Sequence, residues 1–387
     1  MGAEGIRCQI CSADGLLAVR EFATLSRVTS DCKPFPPGGT LFVCKGCGLI
    51  QKTRDERWMG EVEQIYREYD IYHQSAGIEQ AVFDATTGCS GQRSVVLVER
   101  LHEVLALKSE GRLLDFGCGS GVMMAAFSAV RPRWSLFGLD LDDRYLSRLR
   151  RIPGFAGLHT RGPEDAPRDH DLVTMVHSLE HVPAPYCLLR AIREMLAPGG
   201  RLFVQVPDAG ENPFDLVVAD HMSHFTRETL ARTVTSAGFA VERLETGWIR
   251  KELSLLARPV ETGEVGERLA EGSIEVELAR ERVVWLRALL EDAGRAAAGK
   301  PFGLFGTSIN ATWLYGHLDD AVEFFVDEDP ARAGRRHMQR PIWRPEQAPQ
   351  DAVVYLALIP AVARAVRERL RNLRLDLRLP PVFPAPA

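Results

Sequence analysis

At 387 residues the chain exceeds one ordinary domain, and two to three domains of ~150 residues each is the natural division. An apolar fraction of 45% and a charged fraction of 26% belong to a globular chain and exclude disordered or fibrous classes. Lys+Arg 47 against Asp+Glu 52 leaves a net charge of -5, so the chain has no overall attraction to phosphate backbones or anionic lipid, and nucleic acid and membrane are excluded as default partners.

The opening MGAEGIRCQICSADG lacks the apolar core of a signal peptide, and no stretch of ~18 apolar residues follows, so a cytoplasmic protein is expected. Residues 1–60 are punctuated by Cys, Gly and Pro around short apolar runs, as in a small ribbon built on a metal. Cys8-Gln-Ile-Cys11 and Cys44-Lys-Gly-Cys47 form two short hooks. Four thiolates at this spacing enclose a tetrahedral Zn²⁺ with no open position, a structural site. Cys32 has no partner hook, and Cys89, Cys118 and Cys187 read as buried or loop thiols.

Residues 61–108 carry apolar residues at three- and four-residue spacing, which predicts helices lying as a lid over the next domain. From 109 to 260 short apolar runs alternate with helical lengths, the pattern of a parallel sheet built from βαβ units. Strands are expected at 112–116, 135–140, near 156–159, at 171–176, 201–206, 239–245 and 251–257, about seven in all. Thr226 and Gly238 bracket a helix. A connecting helix is expected within 261–299, rich in Ala, Glu, Arg and Leu. In 300–387 the strand and helix alternation restarts as a smaller Rossmann-like domain, at 301–310, 321–329 and 351–358.

The most informative segment is Leu114-Asp115-Phe116-Gly117-Cys118-Gly119-Ser120-Gly121, between a predicted strand and a predicted helix. Gly117 permits a tight turn, Gly119 lets backbone approach a ligand, and Gly121 lets the helix pack on the strand. A dinucleotide loop needs GxGxxG, but position 122 is Val, and Asp115 would repel a pyrophosphate. A carboxylate there suits a ligand carrying an amino group and a sulfonium. Asp140, ending the second strand, stands where a carboxylate accepts ribose hydroxyls.

Residues 112–207 resemble the class I S-adenosylmethionine-dependent methyltransferases: LLDFGCGSG, GLD, HSLEHV and LAPGGRLFVQVP occur in that family's order. The resemblance implies that Asp115, Gly117, Gly119 and Gly121 hold the methionine part of the cofactor, Asp140 the ribose and Leu141 the adenine edge, and that His177 and His181 line the cofactor after the fourth strand. Glu164 or Asp165 would meet the adenine amine. For His181 a purely structural role after Glu180 stands beside ligand contact.

Zinc hooks, a methyltransferase core and a second Rossmann-like domain also recur, in that order, in the C-methyltransferases of nucleotide-linked 4-keto sugars, which the chain resembles over nearly its whole length. A small-molecule substrate, a nucleotide-linked sugar, is implied; oligomeric state is left open. Two departures matter. The cofactor loop is CGSG where that family has an Asn-Asp-Gly type, and its catalytic Tyr position is Val218 in the run Val218-Ala219-Asp220-His221-Met222-Ser223-His224-Phe225-Thr226. Related O- and N-methyltransferases of natural products or surface sugars carry a similar acid-His run. A base must take a proton from the acceptor, and a positioned imidazole contributes ~10² to 10⁴-fold. His221 is expected to be that base, oriented by Asp220, with His224 near the substrate; alternatively the run only ties a loop to the following helix. Tyr72 and His73, in a Tyr-rich segment like one that reaches over the active site in the family, are candidate substrate contacts. An RNA methyltransferase is disfavoured because residues 1–60 offer no basic patch, and a non-catalytic cofactor-binding module is the remaining alternative.

Overall fold

The computed structural model describes residues 6–70, 79, 81–83, 90–260 and 273–383. Its N-terminal segment runs through β1 (Leu16–Val19), the hairpin β2 (Arg27–Val28) and β3 (Pro34–Phe35), β4 (Leu41–Cys44) and β5 (Ile50–Lys52) into α1 (Glu56–Arg67). Asp55 caps α1 by accepting from the Trp58 backbone amide at 2.8 Å, satisfying one of the amides that a helix start leaves free. A ribbon of β6 (Ala81–Phe83) and β7 (Ser90–Gln92) leads to α2 (Arg93–Val104).

The central layer follows as β8 (Arg112–Phe116), α3 (Val122–Val130), β9 (Ser135–Leu139), α4 (Leu146–Leu149), β10 (Phe155–His159), β11 (His170–Val176), α5 (Pro185–Arg193), β12 (Leu196–Pro207), β13 (Ser223–His224), α6 (Arg227–Ser236), β14 (Phe239–Glu245) and β15 (Glu252–Pro259). Seven strands form one sheet in the order β10-β9-β8-β11-β12-β15-β14, parallel except for β15, which is antiparallel to both neighbours. Leu113, Leu114, Leu172, Val173, Leu202, Phe203 and Val204 are all fully buried, as continuous apolar runs must be when helices cover both faces of a sheet. Strand order reverses between β8 and β11, which opens a crevice at their carboxyl ends.

The last segment comprises α7 (Ser273–Ala296), β16 (Phe302–Phe305), α8 (Ile309–Leu318), β17 (Phe324–Val326), β18 (Arg336–His337), β19 (Arg340–Trp343), β20 (Val353–Tyr355), α9 (Pro360–Arg369) and β21 (Asp376–Arg378). Its sheet is ordered β18-β19-β17-β16-β20-β21, parallel but for the edge strand β18. No helix among the described residues is long and apolar enough to cross a membrane.

Two expectations need correction. The segment predicted as a lid is partly core: Leu97, Val98 and Leu101 of α2 are buried against Met123, Met124 and Phe127 of α3, because its apolar stripe is wide enough to join the helical layer on the sheet. The β12 strand starts at Leu196, five residues before the predicted 201, so that the Ala-Pro-Gly-Gly turn signals sit within the strand's own entry.

The sheet that begins with β1, β4 and β5 gains its fourth strand from far along the chain. β13 pairs with β5, Ser223 opposite Gln51 and His224 opposite Ile50. The preceding loop is held by the same segment. The Ala219 amide donates to the Val28 carbonyl at 2.7 Å, the Lys52 amide to Met222 at 2.9 Å, and the Trp58 indole to the Ala219 carbonyl at 3.2 Å. Lys52 is 1% exposed, and its ammonium donates to the carbonyls of Val218 and His221, the latter at 2.9 Å. Apolar packing joins all three segments: Phe22, Val28 and Ile50 share one core with Phe214, Val217, Trp285 and Trp313.

Burial pushes the Lys52 amine down to about 7 against the opposing pull of Asp215. Above that pH the folded chain has shed a proton that the unfolded chain retains, so folding strengthens as pH rises from 7 toward 10, by up to ~1.4 kcal/mol per pH unit. Lys52→Met is expected to remove this slope and to cost ~2–4 kcal/mol by leaving two buried carbonyls without a donor. Urea titrations at pH 7 and 9.5 read both effects.

Candidate functional site

The glycine loop leaves β8 and bends over the end of β9, where the amides of Gly117 and Cys118 both donate to the Leu139 carbonyl at 2.7 and 3.2 Å. Gly119 has φ +48°, and a Cβ built there meets nothing within 4 Å, so its backbone faces open space that a ligand can occupy. Gly121 has φ +79° and starts α3; a Cβ there would stand 2.5 Å from Leu149 and 2.7 Å from Ile152. This glycine therefore admits the α4 segment against the loop, and not the strand that the spacing suggested.

Around that open backbone lie the predicted polar groups. Asp140 accepts from the Gly119 amide at 2.6 Å and the Leu141 amide at 2.7 Å, which orients its carboxylate at the tip of β9. Leu141 beside it is 71% exposed, an uncovered apolar surface for a flat ring to lie on. Asp115 is buried and accepts from the Thr174 hydroxyl at 2.7 Å; burial, with Asp140 nearby, pushes it up to about 7. Glu164 and Asp165 both sit on the exposed turn after β10. The arrangement fits S-adenosylmethionine: a carboxylate for the ammonium, a second for the ribose, and a backbone without side chains between them.

A dense cluster of imidazoles and carboxylates follows β11. His177 has φ +51° and lies between two glutamates, Nδ1 3.2 Å from Glu180 and Nε2 3.1 Å from Glu252. Burial alone would lower its pKa, but Glu252 and Glu180 hold it up at about 9. Glu252 is further paired with Arg93 at 3.0 Å. His181 points Nδ1 at the Asp220 carbonyl and at the Tyr66 hydroxyl, both at 3.1 Å, and its ring meets His221 edge to face with centroids 4.6 Å apart.

The expected Asp220–His221 pair is not formed. His221 Nδ1 lies 2.6 Å from Asp215, whose other oxygen lies 2.7 Å from His224 Nδ1. Asp220 instead accepts from the Ser30 amide at 2.9 Å and hydroxyl at 2.5 Å, and faces His181 at 3.4 Å. The two residues close a turn in which the His221 amide donates to the Val218 carbonyl at 3.3 Å, and their side chains leave it in different directions. Asp215 reaches back from the turn Pro213–Val217. Asp215 and Asp220 are wholly buried; burial opposes their ionisation, but His224 and His221 beside Asp215, and His181 beside Asp220, hold both well below the usual carboxylate range. Burial pushes His224 down to about 4, so Asp215 faces it as an acceptor of the Nδ1 proton. The same tautomer at His221 leaves its Nε2 as the lone-pair nitrogen.

Loop and cluster are contiguous. Ser178 packs against Gly117, where a Cβ would come within 2.7 Å, and the Met222 amide donates to the Glu180 carbonyl at 2.7 Å. Thus the structure groups Asp115, Gly117, Gly119, Gly121, Asp140 and Leu141 at one crevice and His177, His181, Asp220, His221 and His224 beside it. Tyr72 and His73 lie outside the described residues, and from their segment Tyr66 reaches the cluster. Sequence reading missed Asp215, Lys52, Ser30 and Glu252. A single carboxylate inside the apolar run PFDLVVA, and a lysine closing GLIQK, are signals for the first two, because a lone charge in a buried run needs a partner.

The four hook cysteines come together: Cys8, Cys11, Cys44 and Cys47 offer sulfurs all within 4.8 Å of one another, with Cys8–Cys47 at 3.4 Å and Cys11–Cys44 at 3.5 Å. A tetrahedral ion with ~2.3 Å bonds to sulfur sets its ligands ~3.8 Å apart, so the set fits Zn²⁺. Hydrogen bonding with Cys44 pushes Cys8 and Cys47 up and draws Cys44 far down.

Residues 90–244 match the protein family described as "Methyltransferase domain". The chain is 25% identical over 392 residues to the C-methyltransferase NovU of Streptomyces niveus, an alignment covering 91% of this chain and 89% of that protein. It is 28% identical over 152 residues to the ubiquinone biosynthesis O-methyltransferase of Aeromonas salmonicida (strain A449), covering 34% of this chain and 63% of that protein. Among solved structures, the glycopeptide N-methyltransferase MtfA complexed with S-adenosylmethionine aligns with a TM-score of 0.36 and 16% identity over 43% of this chain and 94% of that one.

Cys44→Ser is expected to reduce bound metal from about one equivalent to nearly none, measured by elemental analysis. Because Cys44 ends β4 and β4 carries β5, the melting temperature should fall with it, by several degrees or more.

Proposed function

We propose that this chain, which belongs to the class I S-adenosylmethionine-dependent methyltransferases, moves a methyl group onto a nucleotide-linked sugar in the cytoplasm, with His221 as general base and a structural Zn²⁺ on Cys8, Cys11, Cys44 and Cys47. The observation that carries the base assignment is the 2.6 Å bond from His221 Nδ1 to the buried Asp215. It presents Nε2, the lone-pair nitrogen, in a loop that touches the turn beside the cofactor crevice. The sugar reading rests on the resemblance of the whole chain to the C-methyltransferases of nucleotide-linked sugars, and a C-methyltransferase aligned over 91% of this chain supports its methyl-transfer part.

When bound, S-adenosylmethionine supplies a methyl group on a positively charged sulfur that an electron-rich acceptor can displace in line. The residues do the rest. Asp115 holds the amino acid end, Asp140 accepts the ribose hydroxyls, Leu141 covers one face of the base, and Glu164 or Asp165 on the exposed turn after β10 meets the exocyclic amine. His177, clamped by Glu180 and Glu252, keeps the wall between crevice and cluster rigid. His221 takes the acceptor's proton, and Asp215 stabilises the imidazolium that results. His224, fully buried, shares that carboxylate and fixes its orientation.

Oxygen is a second acceptor reading alongside carbon. It is favoured by Val218, fully buried where the sugar C-methyltransferases that the chain resembles carry a Tyr, and by the alignment to O-methyltransferases.

Turnover on a panel of nucleotide-diphosphate sugars, followed by mass spectrometry, tests the substrate; no methylated product from any 4-keto or hydroxyl sugar would overturn it. His221→Ala should keep cofactor binding and lower kcat ~10² to 10⁴-fold, and Asp215→Asn should lower it by a similar order through the wrong tautomer. Full activity in His221→Ala would sink the base assignment. For the cofactor, Asp115 must lose a proton to meet an ammonium. Affinity should therefore rise up to ~10-fold per pH unit toward pH 7 and level off above it, a slope that Asp115→Asn should lack in calorimetric titrations.

A further inference from the structure

We infer that Glu180, His181 and His221 form a second divalent-cation site, separate from the four cysteines and set into the wall of the proposed acceptor pocket. The inference rests on the methyltransferase reading above for the site's purpose, but not for its existence. One coordinating atom from each of the three residues lies within 4.8 Å of the other two. Nitrogen and oxygen ligands held at ~2.0–2.2 Å stand ~3.0–3.5 Å apart, so modest side-chain rotations close the set.

Three further observations point to a cation. Glu180 Oε2 is fully buried and has no hydrogen-bond partner among the described residues, although Oε1 is held by His177. A buried carboxylate oxygen left bare is costly unless something positive meets it. Each imidazole is also braced as a metal ligand is: His221 Nδ1 against Asp215 at 2.6 Å, His181 Nδ1 against the Asp220 carbonyl at 3.1 Å and carboxylate at 3.4 Å. Such carboxylate–histidine pairs fix the tautomer and aim Nε2 at the ion. Finally, three buried carboxylates, Glu180, Asp215 and Asp220, crowd the cluster, and the ammonium nearest the His221 backbone, on Lys52, is spent on carbonyls. In the adjacent trio of Asp215, His221 and His224 both carboxylate oxygens are already taken by imidazole Nδ1 atoms, so that carboxylate is not free for an ion, although His224 Nε2 is buried without a partner among the described residues.

Two imidazoles and one carboxylate select a borderline divalent ion such as Co²⁺, Zn²⁺, Mn²⁺ or Fe²⁺ over Ca²⁺, and leave coordination positions open toward the pocket for water or an acceptor oxygen. Nε2 of His221 holds either a proton or a cation. Occupancy therefore withdraws that nitrogen from proton transfer.

The test titrates Co²⁺ into full-length protein that already carries its cysteine-bound metal. A second equivalent should bind, with a d–d spectrum of nitrogen and oxygen ligation and without thiolate charge-transfer bands. Glu180→Gln and His181→Gln should each abolish that equivalent while leaving the first, and Asp215→Asn should weaken it ~10- to 100-fold. Retention of the cysteine-bound metal and of the wild-type circular-dichroism spectrum shows that each variant is folded. Absence of a second equivalent in the wild type, or its persistence in both Glu180→Gln and His181→Gln, overturns the site. Turnover in the same titration separates the two readings: if His221 is the base, activity falls in step with occupancy; if activity rises instead, the cation site stands and the base assignment fails.

Discussion

The pairing of β5 with β13 joins the metal-hook segment to the histidine loop, and the candidate active site depends on it. The loop from Val218 to His224 cannot satisfy its own backbone, and buried carbonyls without donors are costly. Val28, Lys52 and Trp58, all near the N-terminus, supply several of the missing partners, the Glu180 carbonyl takes the Met222 amide, and Ser30 holds the Asp220 carboxylate. The two cysteine hooks meet at one end of the β1–β4–β5 sheet, where β1 begins and β4 ends, and through β4 and β5 they bear on where His221 stands.

Electrostatics make the same connection in another way. Asp215, Asp220, Glu180 and Glu252 are all buried, and each has a partner: Asp215 has His221 and His224, Asp220 has His181 and Ser30, Glu180 has His177, and Glu252 has His177 and Arg93. Isolated, any one of these charges would destabilise the core by several kcal/mol. Joined, they form a polar wall beside the crevice at the ends of β8 and β11, rigid because moving one member exposes another.

The glycine loop was readable because its chemistry is local. Asp115, Gly117, Gly119, Gly121 and Asp140 belong to one strand–turn–helix–strand unit, and chain geometry over that length leaves little choice. The same is true of the cysteine hooks and of most strands in the seven-stranded sheet, whose apolar runs have the right length and punctuation. The partner of His221 was not readable. Adjacency suggested Asp220, but neighbours at this turn diverge, and the carboxylate that arrives is Asp215 from the preceding turn. The lid was misjudged for a related reason: a helix's apolar stripe shows that it packs, not against what.

From the sequence alone come the α/β architecture with its sheet of about seven strands, the glycine loop and the two cysteine hooks, since each is set by periodicity or by spacing within a few residues, whereas the antiparallel β15 that makes the sheet mixed came from the structure. Tertiary structure decided the pairing of histidines with carboxylates, the burial of Lys52 and the dependence of the histidine loop on the first strands. The Lys52 contacts with Val218 and His221 span 166 and 169 positions, while the histidine–carboxylate pairs, 3 to 75 positions apart, are set by how turns and strands pack, and neither leaves a periodic trace in the chain.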